Sequence, residues 1–97
     1  LDELIEEITT DAYGDEGYWA FLTAFEHAVS LPMKAKVIGE TVEVMKIKFD
    51  GNERRGLTAT VLRKGHRSSV SLLDVKFPAR SEAARYVAAY WKWLGVS

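Results

Sequence analysis

The chain has 97 residues, 47% of them apolar, no cysteine and a formal net charge of −1. That size suits one domain with a modest core and argues against disorder, and the lack of cysteine excludes disulfides, zinc–thiolate sites and cysteine nucleophiles. The near-neutral total conceals a division. Residues 1–31 hold eight acids and no Lys or Arg, whereas residues 32–97 hold six acids and all thirteen Lys and Arg. Such asymmetry points to a charged partner, which is an ion, a polyanion or the other half of the same molecule.

Leu1, Leu4, Ile5, Ile8 and Ala12 recur at helical spacing, with acids on the opposite face. Gly14 is placed to end this first helix, and Asp15 to cap a second. Glu16 then lies in the first turn, near the positive end of the helix dipole. Tyr18, Phe21, Leu22, Phe25 and Val29 form the apolar stripe of the second helix, which Pro32 stops. Residues 1–31 are therefore expected to form an acidic helical hairpin.

Alternation replaces helical spacing after Pro32. Met33, Ala35 and Val37 alternate, Gly39 marks a turn, and Val42 and Val44 continue on even numbers before Ile47 and Phe49 change parity. A phase slip near Met45 predicts a bulge or sharp bend. Asp50-Gly51-Asn52 reads as a turn, Leu57, Ala59 and Val61 as a strand, and Lys64-Gly65-His66 as a tight hairpin. A second slip falls between Leu72 and Leu73. Four or five short strands with two bends predict a small SH3-like barrel over residues 33–77. Ser81 is placed to cap a terminal helix over 81–95, with Ala84, Val87, Trp91 and Leu94 on its packing face. Trp91 and Trp93 lie two residues apart, so only one can face the core fully. The fold class expected is α+β, with the whole of residues 1–97 in a single domain.

The order of several short motifs is distinctive. Asp11-Ala12-Tyr13-Gly14-Asp15-Glu16 leads into a helix closed by Leu31-Pro32, then come Gly39-Glu40-Thr41-Val42-Glu43-Val44 and a last helix with Tyr90-Trp91. In this order the chain resembles the small bacterial calcium-binding proteins of the cyanobacterial CcbP type, over nearly its whole length. The resemblance implies acidic helices joined to an SH3-like barrel, with Ca2+ as ligand, and it carries Asp11, Asp15 and Glu16 into the ligand set. The chain departs from the family in its basic barrel and in having His27 and Ala28 after Glu26.

The residues themselves allow two readings of that motif. Calcium takes six to eight oxygens at about 2.3–2.6 Å, and Asp11, Asp15 and Glu16 flank a Gly14 bend that would expose carbonyls as well. Glu26, ten residues past Glu16, is the fourth candidate ligand. The plainer reading has Asp15 as a cap, Glu16 complementing the dipole and Asp11 in solvent. An EF-hand is excluded, because a loop starting at Asp11 puts Leu22 where a bidentate Glu is needed.

Arg54, Arg55, Arg63, Lys64, His66 and Arg67 gather on two barrel loops. They suggest a second function, an interaction module for an acidic protein or for nucleic acid. The loops lack aromatics for stacking bases, so nucleic acid is not the expected partner. A third reading has the acidic hairpin neutralise the basic barrel within one molecule. No phosphate loop, nucleophile elbow or other catalytic constellation is present, and no enzyme activity is expected. No apolar run approaches the ~20 residues of a membrane span, and the acidic N-terminus is unlike a signal peptide. The expectation is a cytoplasmic calcium buffer or sensor with a possible protein partner and no membrane.

Overall fold

The computed structural model describes residues 2–10 and 16–95. Helix α1 spans Asp2–Thr9 and α2 spans Glu16–Ala28. Leu4 is buried on α1, with Ile5 and Ile8 packed beside it, while Phe21, Leu22 and Phe25 are the buried stripe of α2. The amide of Val29 donates to the Phe25 carbonyl at 2.9 Å, extending the last turn, and the Leu31–Pro32 peptide bond is cis. The expected cap at Gly14 and the capping role of Asp15 lie outside the described residues.

Strands β1 (Met33–Val37) and β2 (Glu40–Lys48) form a hairpin in which Ala35 faces Val42 and Met33 faces Val44. The phase slip predicted near Met45 is a bulge: the register of β2 against β3 (Thr58–Arg63) shifts between Val44 and Lys46. Before it β2 turns Val42 and Val44 inward, and after it Ile47. A two-residue turn at Lys64 and Gly65, with φ of 50° and 82°, joins β3 to β4 (His66–Ser71). The second slip has a different cause from the first. Leu72–Asp74 form a 3-10 turn, capped by Ser71, whose hydroxyl accepts the Leu73 N–H at 3.2 Å. Strand β5 (Val75–Lys76) then pairs with β1.

The five strands run in the order β4-β3-β2-β1-β5, all neighbours antiparallel. The hydrogen-bond ladder does not close into a barrel; β4 and β5 are its two margins. Helix α3 (Glu82–Trp93) follows, with the Ser81 hydroxyl accepting the Ala84 N–H at 3.1 Å as its N-cap. One apolar cluster joins the inward side chains of the sheet to α1, α2 and α3. Aromatic contacts tie these layers: Phe25 lies 5.8 Å from Phe77, Phe21 5.7 Å from Tyr90, and Tyr18 stacks on Phe49 at 4.9 Å between ring centres. Trp91 and Trp93 are both half-buried, so neither faces the core fully. Trp93 packs 5.0 Å from the Phe21 ring, while Trp91 lines a groove between α3 and the β1–β5 margin.

Candidate functional site

Among the described residues, the acids of the hairpin fall on exposed positions of two packed helices. Leu4, Ile5 and Ile8 claim the inner face of α1, and Asp2, Glu3, Glu6 and Glu7 are left outside. Between the helices runs a cleft lined by Glu7 of α1 and by Glu16 and Trp19 of α2, with Tyr86 of α3 contributing from behind. Trp19 is 47% exposed there, and its ring meets Phe49 edge-on at 5.1 Å. The cleft thus joins carboxylates from both helices to an indole.

Of the four expected ligands, Asp11 and Asp15 lie outside the described residues. Glu16 occupies the first turn of α2 and is exposed. Glu26 is exposed near the other end of the same helix, about 15 Å along the axis at ~1.5 Å per residue. Glu16 and Glu26 are therefore not brought together. Among the described residues, no group of three or more His, Asp or Glu is placed to hold a metal ion. Glu7 was not among the candidates, although the Glu3–Glu7 spacing on a helical face was visible in the sequence. What was not visible is that α1 turns Glu7 toward the start of α2.

The basic loops separate. Arg54 and Arg55 sit between β2 and β3, whereas Arg63, Lys64 and Arg67 surround the β3–β4 turn. Successive connections of an antiparallel meander lie at opposite ends of its strands, so the six residues of β3 put the two groups about 16 Å apart. Two of the arginines have local partners as well. Arg55 pairs with Asp50 at 3.3 Å, and Arg63 with Glu40 at 2.5 Å. The two basic loops named from the sequence thus lie at opposite ends of β3. The loop holding Arg54 is ordered by its own side chains: Asp50 Oδ1 accepts the Asn52 N–H, and Asn52 Oδ1 accepts the Arg54 N–H, each at 2.9 Å.

Contact between the charge blocks is slight. Among the described residues one ion pair links the acidic helices to the rest of the chain, Lys92 Nζ to Asp2 at 2.6 Å. That contact holds the Asp2 carboxyl below its ordinary range, through the hydrogen bond first and the lysine charge second. No helix among the described residues is long and apolar enough to cross a membrane.

No protein-family model and no curated protein match the sequence. Solved structures do. Anabaena CcbP aligns with a TM-score of 0.76 at 19% identity, over 97% of this chain and 91% of its own. A calcium-binding protein in its calcium-binding form aligns with a TM-score of 0.77 at 19% identity, over 97% of this chain and 88% of its own. At that identity the likeness is one of architecture, and the chain has a CcbP-like fold.

Proposed function

We propose that this protein binds Ca2+ at the connection between α1 and α2, as a buffer or sensor in a bacterial cytoplasm. The observation that carries the proposal is the shared fold with a protein solved in its calcium-binding form. The cleft supports it, since Glu7 and Glu16 line its walls and Asp11 and Asp15 belong to the segment between them. Carboxylates brought together there would repel one another, and a divalent cation with a demand for six to eight oxygens would relieve that repulsion. Glu26 enters only as a more distant charge. The sheet is read as an SH3-like barrel, a reading supported by its strand order, the β2 bulge and the turn before β5. One of the two solved structures is named as a calcium-binding protein, and no reaction is proposed for this chain.

The test is a melting curve in calcium and in chelator, with magnesium as control. Calcium at a hundredfold excess over its dissociation constant should stabilise the fold by about 2.7 kcal/mol. Asp15→Asn and Glu16→Gln should each reduce the shift. No shift, or an equal one with magnesium, removes the reading. Trp19 provides a second readout: its fluorescence should change on titration, and Trp19→Phe should abolish that change while leaving the thermal shift. Sodium chloride should stabilise the calcium-free protein by screening the acids, and less so once calcium is bound. Destabilisation by salt with indifference to calcium would favour internal neutralisation instead.

A further inference from the structure

Six cations stand on the face of the sheet turned away from the core. Strand β1 carries Lys34 and Lys36 there, β2 carries Lys46 and Lys48, and Arg67 and Lys76 come from β4 and β5; all six are exposed. The register gathers them. Lys34 pairs with Glu43, Glu43 with Leu62 and Leu62 with Arg67, so one row crosses four strands. Lys36 pairs with Lys76 in the next row, and Lys46 and Lys48 pair with Thr60 and Thr58 beyond. The bulge at Met45 brings the last two lysines to this face. With strands ~4.8 Å apart and alternate residues ~6.7 Å apart, the patch measures about 20 Å on a side.

The charges on this face are only partly compensated. Glu43 lies within the patch, and Asp74 lies at its β5 margin, lining a groove with Lys36 and Lys76. Yet among the described residues none of the six cations is ion-paired; the four salt bridges use Arg55, Arg63, Arg85 and Lys92. Like charges directly opposite on neighbouring strands, as at Lys36 and Lys76, oppose pairing. A face that bears this cost is matched to an anionic ligand. A protein partner fits poorly, because interface cores are depleted of lysine and anchored by apolar or aromatic side chains. Here Leu62 and, at the bulge, Met45 are the large apolar residues, both half-buried, and no aromatic stands in those rows. Without aromatics the face cannot stack single-stranded bases. The exposed hydroxyls of Thr41 and Ser69 add donors suited to phosphate oxygens.

We propose that this outer face of the sheet binds the phosphate backbone of duplex nucleic acid without reading its sequence. The proposal is independent of calcium binding.

Anisotropy of a labelled DNA duplex of about 20 base pairs, titrated with the whole protein in chelator, tests it. Up to six phosphate contacts predict a log–log salt slope of about −5, and so a loss of roughly a thousandfold between 50 and 200 mM salt. Lys34→Gln/Lys46→Gln/Arg67→Gln should reduce the slope by about 3 at an unchanged melting temperature. Arg54→Gln/Arg55→Gln, in the loop beyond β2, should leave it unaltered. Tighter binding to a single strand overturns the proposal, as does retention only on anionic phosphatidylserine vesicles. So does no binding at low salt, or sensitivity only to the loop variant. Repeating the titration in calcium keeps the two proposals separable, since either can fail while the other stands.

Discussion

The hydroxyl of Tyr90 accepts the backbone N–H of Leu57 at 2.9 Å, a buried bond that ties α3 to the start of β3. Gly56 lies directly beneath it at φ +62°, where a Cβ would come 2.3 Å from that oxygen. The glycine is thus required twice, by its backbone conformation and by the close approach of the phenol.

Tyr90→Phe should destabilise the fold by about 1–3 kcal/mol, since it leaves a buried amide without an acceptor. Gly56→Ala should cost at least the ~1–2 kcal/mol of a left-handed residue. Because removing the hydroxyl also removes the clash, the double variant should lose less than the sum. Urea denaturation of the four proteins measures that coupling, and strict additivity would show that the two residues do not share one constraint.

Burial raises the Tyr90 phenol above its ordinary value near 10, against the opposing effect of the Leu57 N–H; Tyr18 is raised too, chiefly by burial and then by Glu53. A raised folded value means that the unfolded chain loses its phenolic protons first. The stabilisation is complete below the ordinary value and is lost as pH rises through the folded one. Urea midpoints should accordingly fall at alkaline pH, and less steeply in Tyr90→Phe. An identical slope in that variant would assign the alkaline loss to other groups.

A Cβ on Gly17 would lie 2.1 Å from Cζ2 of Trp93. Gly17→Ala gains helix propensity of up to ~1 kcal/mol but overpacks the α2–α3 contact at a typical cost of ~1–3 kcal/mol. The melting temperature should fall. With Trp93→Leu as background the obstruction is gone, and the same substitution should then raise it. A fall in both backgrounds would contradict the steric explanation.

Ile38 occupies the β1–β2 turn at φ +50°, followed by Gly39 at +77°, and is 94% exposed. A β-branched residue is poorly suited to that conformation, and Asn-Gly is the pair such turns prefer. Ile38→Asn should therefore stabilise the protein by about 1 kcal/mol, seen as a higher urea midpoint at constant slope. A lower midpoint would mean that the isoleucine contributes contacts outweighing its strain.

Much of this architecture was legible locally. The helical stripes of α1 and α2, the Ser81 cap, the Lys64-Gly65 turn and the parity change at Met45 all depend on residues a few positions apart, and each stands where the pattern put it. The 3-10 turn at Leu72–Asp74 was visible only as a slip, because a bulge and a tight turn shift parity alike. Tertiary structure decided where the charges meet. Antiparallel connection sent Arg54 and Arg55 to one end of β3 and Arg63 and Lys64 to the other, so the two basic loops lie apart. Helix packing brought Glu7 to the Glu16 cleft, while the rise along α2 keeps Glu26 away. The register, with the bulge reversing the side to which Lys46 and Lys48 point, set six cations from four strands on a single face, since pairing across strands joins residues that no local periodicity connects.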